Sequence, residues 1–176
     1  MLPVRHLFAT AALAALPLGQ PAQAAPTLCP GSEITLVSCP VGKKTASVCA
    51  SPDLGPGHGV AQYRFGSPGH VELEFPTPPA HPRTFTQPGR VMFAAGGEQY
   101  LRVFNGDYAY VFYDGEGRGW QQRGVLVMRG ERTLANLRCT GPDVGDYGRL
   151  PKGTLAPESE ADNLRWLDQR PDPGSR

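Results

Sequence analysis

The sequence predicts an all-β protein, a small antiparallel barrel or sandwich of eight to nine strands joined as hairpins. Short runs rich in β-branched and aromatic residues recur between residues 33 and 139. Turn residues separate these runs: Asn105-Gly106 predicts a type I′ hairpin turn and Gly130-Glu131 a type II′ turn. No helical period longer than a turn or two occurs before the C-terminal tail. Successive hairpins produce antiparallel sheets.

The predicted strands follow one another at short intervals along the chain. They cover residues 33–41, 45–51, 60–65, 70–75, 90–95, 99–104, 107–114, 124–129 and 133–139. Two proline-rich stretches, 52–59 and 76–89, lack periodicity and are predicted to be surface loops.

Residues 1–24 have the layout of a secretory signal peptide. Arg5 precedes an Ala/Leu-rich run, and Ala22-Gln23-Ala24 fits the rule for cleavage after small residues. The run is too short to anchor the chain in a bilayer. We therefore predict a periplasmic protein, exported without membrane insertion, with a β domain at 25–141 and a tail at 142–176.

Charge and cysteine content narrow the function further. Removal of residues 1–24 leaves 152 residues with 16 basic and 16 acidic side chains, a balance that argues against nucleic-acid binding. A monomer or weak dimer is expected. In an oxidising compartment the four cysteines predict two disulfides, with three connectivities open among Cys29, Cys39, Cys49 and Cys139. No CxxC or paired-histidine spacing supports a metal site.

The strand at 107–114 is apolar on both faces. The two sets are Tyr108, Tyr110 and Phe112 on one face and Ala109, Val111 and Tyr113 on the other. An antiparallel strand of this kind needs two covers, one of which is the core. The other is either a partner protein or the chain's own tail, where residues 157–169 can form a short helix that presents Leu164 with Trp166 or Leu167. Most such strands are core, which favours the tail.

The glycine-rich segment 115–119 lacks the features of known ligand loops. No long helix follows it as in a dinucleotide site, and the Gly-Lys-Ser/Thr ending of a P-loop is missing. Its acidic residues miss the calcium-loop pattern. Glu72 and Glu74 share one strand face, so they do not resemble carboxylates placed across a glycosidase cleft. We predict a non-enzymatic protein without cofactors, in which these glycines let a hairpin tip turn sharply.

The hairpin at 114–123 is the predicted partner-binding site. Trp and Arg are enriched at interface hot spots, and an arginine can bind a carboxylate bidentately. The alternative is a solvent-facing loop whose Trp120 folds back onto the sheet. The predicted site residues are Tyr113, Asp114, Glu116, Arg118, Trp120, Gln122 and Arg123.

Four segments resemble a group of small exported β proteins of Gram-negative bacteria, over about residues 29–141. They are CPVGKKTASVCAS, YRFG, LRVFNGDYAYVFYDGEGRG and LANLRC. More loosely, the layout and the segment VAQYRFGSPGHVELEF are similar to periplasmic inhibitors of C-type lysozyme. That second resemblance implies a disulfide-tied β-barrel whose loops enter the lysozyme cleft. The family's serine- and glycine-rich inhibitory motif is not found here, so no residue role is transferred.

These patterns together predict a periplasmic binding protein that inhibits a cell-wall hydrolase or binds another envelope protein. Its alternatives are an envelope structural or stress protein, and a small hydrolase or ligand-binding protein. An inhibitor predicts a protruding loop, whereas a hydrolase or carrier predicts a deep pocket lined by convergent polar groups.

Overall fold

A computed structural model describes residues 26–142 and 144–158 of the chain. The predicted signal peptide, residues 1–24, and residues 159–169 of the predicted C-terminal helix lie outside this part. Within it, no helix has both the length and the apolar character needed to cross a membrane.

The described chain forms nine strands in two antiparallel sheets. The first sheet has the order β1-β2-β3-β4 and the second the order β5-β6-β7-β8-β9. The strands are β1 Ile34–Val41, β2 Lys44–Ala50, β3 Ala61–Ser67, β4 His70–Ala80, β5 Thr86–Phe93, β6 Gly96–Asn105, β7 Tyr108–Gly117, β8 Trp120–Arg129 and β9 Arg132–Arg138. The predicted all-β fold is confirmed, and of its two forms the chain adopts the sandwich.

The prediction of a loop at 76–89 was wrong at both ends. β4 continues through Pro76, Pro78 and Pro79, and β5 contains Pro88. Proline lacks an N–H group, but an edge strand has one side without hydrogen-bonded neighbours. Both β4 and β5 are edge strands, so they tolerate these prolines. The chain passes from the first sheet to the second through the short stretch between β4 and β5, which includes a 3-10 turn at Pro82–Thr84.

The turn between β6 and β7 also differs from its prediction. Asn105 is the last residue of β6 and pairs with Tyr108, so the two turn residues are Gly106 and Asp107. Gly106 has a φ of 57°, whereas no residue other than glycine has a positive φ among the described residues. Glycine at the first turn position is typical of type II′ rather than of the predicted type I′.

The main core lies between the two sheets. Its centre is an aromatic contact in which the rings of Tyr63 and Tyr110 stack at 4.5 Å, with Phe112 edge-on to Tyr63 at 6.0 Å. Burial, with a smaller contribution from Tyr110, raises the pKa of Tyr63 far above its usual value. The buried residues of this core are Leu36, Cys39, Ala46, Val48, Ala50, Ala61, Tyr63, Phe85, Leu101, Val103, Phe112 and Val125.

Two disulfides are present, as predicted, and their pairing is now defined. Cys29 bonds Cys49, which fixes the start of the described chain to β2. Cys39 of β1 bonds Cys139, directly after β9, and so ties the first sheet to the second. The alternative bond across the first hairpin, between Cys39 and Cys49, is not formed.

Residues 144–158 run along the sandwich from the first sheet to the second. The amide of Ser38 in β1 donates to the carbonyl of Val144 at 2.8 Å. Tyr147, Leu150 and Leu155 then pack against the main core. The segment ends beside the edge strand β5, where Glu158 Oε1 lies 3.4 Å from Arg90 Nη2.

Candidate functional site

The predicted site lies on a longer and more regular hairpin than the sequence indicates. β7 pairs with β8 from Tyr108 opposite Arg129 to Gly117 opposite Trp120. Only Arg118 and Gly119 form the turn, and Gly119 has a φ of 79°. The predicted sharp turn therefore needs one glycine of the glycine-rich segment.

Gly115 and Gly117 have another role, because they lie inside β7. A Cβ atom on Gly115 would come within 2.7 Å of the carboxylate of Glu98, and one on Gly117 would overlap the ring of Trp120. The register places Glu98 opposite Gly115 and Trp120 opposite Gly117. The two glycines thus provide room for large neighbouring side chains to lie across the strand.

Side chains alternate between the two faces of a strand, and this divides the predicted site. Tyr113 and Gln122 point away from the core between the sheets, and they are only 3% and 7% exposed. Trp120 shares that outer face and is partly buried. Asp114, Glu116 and Arg123 lie on the opposite face, and Arg118 is exposed in the turn. The predicted site residues therefore do not form one continuous surface.

A neighbouring hairpin contributes to the exposed end of the site. The amide of Arg118 donates to the carbonyl of Ala95, in the β5–β6 turn, at 3.1 Å. The rings of Phe93 and Trp120 lie 5.9 Å apart with an interplanar angle of 31°. Met92 is 77% exposed and Phe93 is 40% exposed.

We call this end of the sheet the tip surface, and it consists of Phe93 and Trp120 on the outer side, Met92 and Glu116 on the inner side, and Arg118 in the turn between them. The sequence interpretation missed Met92 and Phe93. The sequence could have predicted their proximity, because alternate turns of consecutive antiparallel hairpins lie at the same end of a sheet. The Met-Phe pair precedes one such turn and Arg118 lies in the next.

A hollow of about 610 Å³ adjoins the tip surface. Met92 and Phe93 line it, and its charged lining residues are Arg90, Glu98, Asp114 and Glu116. A second cavity of about 530 Å³ lies between β5 and residues 147–158, and its cations are Arg83, Arg90 and Lys152. Arg83 donates to the Gly153 carbonyl at 3.3 Å.

The carboxylates and thiols singled out in the sequence have structural partners. Glu72 accepts a hydrogen bond from Lys44 at 2.7 Å, and Glu74 lies 3.6 Å from Arg64. Cys29, Cys49 and Glu33 cluster closely enough to suggest metal ligands. The two sulfurs are joined in a disulfide, however, so they offer no thiolate to a metal.

Comparison with family models, curated proteins and solved structures finds no match to this chain. Its function has to be inferred from the exposure and contacts of its own side chains.

Proposed function

We propose that this protein is a non-enzymatic binding protein of the bacterial periplasm and that it inhibits a cell-wall hydrolase through the tip surface. The observation that carries the proposal is the exposed apolar and aromatic end of the second sheet, next to an exposed arginine. Phe93 is 40% exposed and its ring lies 5.9 Å from that of Trp120, Met92 is 77% exposed on the other side of the same edge, and the amide of the exposed Arg118 is bonded to the adjacent β5–β6 turn.

The chemistry of the tip surface suits a carboxylate-lined cleft. Aromatic side chains and methionine supply apolar contact area at interfaces, and arginine is one of the commonest hot-spot residues. Glycoside hydrolases place two carboxylates on either side of the bond that they cleave. A guanidinium on a two-residue turn can reach such a carboxylate and bind it bidentately. Arg118 is the side chain that we assign to this contact.

The proposed location has separate support. Both disulfides are formed, and disulfides persist mainly in exported proteins. Residues 1–24 have the sequence of a signal peptide. An envelope structural protein shares these features, but it does not need an exposed Met-Phe pair beside an arginine.

The proposal is tested by inhibition assays of the oxidised mature protein against C-type lysozymes and lytic transglycosylases. The test variant combines Arg118→Ala with Trp120→Ala. The matched control combines Arg129→Ala with Tyr108→Ala at the opposite end of the same hairpin, where the arginine lies over the aromatic ring at 5.6 Å. Both variants remove one arginine and one aromatic side chain.

We expect inhibition of at least one hydrolase by the wild type and by the control variant, with a loss of about 100-fold or more in the test variant. The melting temperatures of the two variants should be similar. An equal loss of inhibition in both variants would mean that the substitutions act through the stability of the protein rather than through the tip surface. Absence of inhibition by the folded wild type across the panel would favour the structural alternative.

A further inference from the structure

The outer side of the second sheet carries a second buried apolar cluster. We call it the outer apolar face, and it consists of Tyr100, Val111, Tyr113, Leu126 and Met128. Their exposed fractions are 0–5%, as low as those of the main core. The outer side of an antiparallel sheet in a two-layer protein normally faces water and carries polar residues. These side chains therefore need a cover other than the first sheet.

Part of the burial comes from the sheet itself. The ring of Tyr100 lies across Gly89 on β5, and Tyr113 lies across Gly124 on β8, where its hydroxyl donates to Asn136 Oδ1 at 2.8 Å. The partly buried apolar residues packed against the face are Val91 and Ala109, which also belong to this sheet. Within residues 26–142 and 144–158, no apolar side chain from outside β5–β8 belongs to the cluster.

The two ends of the described chain lie on different sheets. At the N-terminal end, the Pro26 carbonyl accepts a hydrogen bond from Ser38 Oγ on the first sheet, at 3.0 Å. At the C-terminal end, Glu158 lies beside Arg90 on β5, the edge strand of the second sheet. The main core already occupies the inner side of that sheet. A chain that continues from Glu158 has the outer side of the same sheet within direct reach.

The remaining sequence has the composition that such a cover requires. Eighteen residues follow Glu158, and Leu164, Trp166 and Leu167 are their large apolar members. From β5 to β8 the sheet is about 14 Å wide, at about 4.8 Å for each strand spacing. Residues 159–169 span about 16 Å as a helix and more than that when extended.

The acidic residues of the tail complement the positive charge on the outer side of the sheet. Arg102 lies on the outer side of β6 with its guanidinium 5.5 Å from the centroid of the Tyr100 ring. Glu160 and Asp162 precede the apolar residues of the tail and continue the acidic character of Glu158. A carboxylate near Arg102 would be favourably placed at this side of the sheet, whereas Arg90, the neighbour of Gly89 on β5, points to the inner side.

We propose that residues 159–169 of the same chain cover the outer apolar face, with Leu164 and either Trp166 or Leu167 packed against Val111 and Leu126. This cover removes Tyr113 from the surface available to a partner and leaves the tip surface outside the covered area. The inference does not depend on the identity of any partner.

Trp166 is a direct reporter of docking, because the chain has only two tryptophans. In a Trp120→Phe variant of the mature protein, Trp166 is the sole tryptophan. We expect a blue-shifted emission maximum and at least threefold protection from acrylamide quenching relative to the urea-unfolded protein. Emission and quenching equal to those of the unfolded protein would overturn the proposal.

The position of the tail is tested by replacing Trp166 with the photoreactive residue p-benzoylphenylalanine and mapping the crosslinks by mass spectrometry. Crosslinks within a monomer to peptides that contain Tyr100, Leu126 or Met128 are the expected result. Crosslinks in a covalent dimer would show that a second copy covers the face. Crosslinks confined to the first sheet or to the tip surface would also contradict the proposal.

Truncation after Glu158 provides a second test. The truncated protein should bind a hydrophobic dye strongly and melt at a lower temperature, and a peptide of residues 159–176 added in trans should reverse both changes. The control peptide carries Leu164→Ser, Trp166→Ser and Leu167→Ser and should have no effect. A folded truncated protein with unchanged melting temperature and dye binding would overturn the proposal. If truncation prevents folding, crosslinking of the full mature chain still tests whether residues 159–169 lie on the outer apolar face.

Discussion

The outer faces of the two sheets have opposite chemistry. On the first sheet the outer face carries polar residues, among them Ser38, Ser47 and Arg64, and is covered by residues 26–33, the N-terminal arm. On the second sheet the centre of the outer face is the apolar cluster of tyrosine, valine, leucine and methionine. Both faces are buried, the first through hydrogen bonds and an ion pair and the second through apolar packing.

The polar face is held by directional bonds. The hydroxyls of Ser38 and Ser47 lie 2.8 Å apart, and the amide of Leu28 donates to Ser47 at 3.1 Å. Arg64 binds both carboxylate oxygens of Glu33, at 2.6 and 3.0 Å. The Cys29–Cys49 disulfide adds a covalent tie between the arm and β2.

The contrast between the polar and the apolar face shows what a segment must provide to bury each of them. A polar face has to be matched group by group, because each buried donor or acceptor without a partner costs about 1–3 kcal/mol. The arm meets this requirement with few apolar side chains. An apolar face accepts any cover of suitable shape and hydrophobicity, because dispersion and the hydrophobic effect are not directional.

Tyr100→Ala should produce the largest loss of stability on either outer face. Its ring is fully buried across Gly89, and removal of a buried aromatic side chain costs about 3–5 kcal/mol through lost transfer energy and the cavity left behind. Urea unfolding followed by circular dichroism measures the change in the free energy of unfolding.

Leu134→Ala is the control on the same sheet. Leu134 is 47% exposed, so its truncation should cost less than about 1 kcal/mol. Similar costs for the two variants would mean that the outer apolar face is not a packed core in solution.

The double variant Cys29→Ser and Cys49→Ser should cost about 3 kcal/mol, because the bond closes a loop with a sequence separation of 20. We also expect the N-terminal arm to become sensitive to limited proteolysis, which mass spectrometry of the fragments can detect. An arm that stays protected after removal of the disulfide would show that its hydrogen bonds alone hold it in place.

Arg64→Met tests the ionic part of the polar face and should cost about 2 kcal/mol. The side chains of Arg64 and Glu33 are 12% and 26% exposed, and hydrogen bonds to charged groups are among the stronger ones. Lys44→Met is the control, because the Lys44–Glu72 pair is 44% and 34% exposed and should contribute less than about 1 kcal/mol. Equal effects would mean that Arg64 is no better shielded than a surface cation.

The strands were predictable because side-chain alternation and turn residues are local signals. Their ends were less predictable. Pro78 and Pro88 lie inside strands because those strands are edges, and the sequence does not reveal which strands are edges. Gly115 and Gly117 continue β7 because Glu98 and Trp120 need the space above them, which depends on pairing with neighbouring strands.

The hairpin that carries the candidate site was predictable, but the grouping of its side chains was not. Alternation alone separates Asp114 from Tyr113, since neighbouring residues of a strand point to opposite faces. The contact of Phe93 with Trp120, by contrast, depends on the order of strands in the second sheet. Disulfide pairing was also undetermined, because cysteine spacing allowed three connectivities.

Tyr113→Phe should have the smallest effect of these substitutions and separates stability from partner binding. The ring remains to cover Gly124, but Asn136 Oδ1 loses the hydroxyl donor at 2.8 Å, at a cost of about 1 kcal/mol. The sequence places Tyr113 in the binding site, yet it is only 3% exposed. Hydrolase inhibition should therefore stay within about twofold of wild type while the urea midpoint falls. A large loss of inhibition with unchanged stability would instead assign Tyr113 to the interface and require the outer apolar face to open when a partner binds.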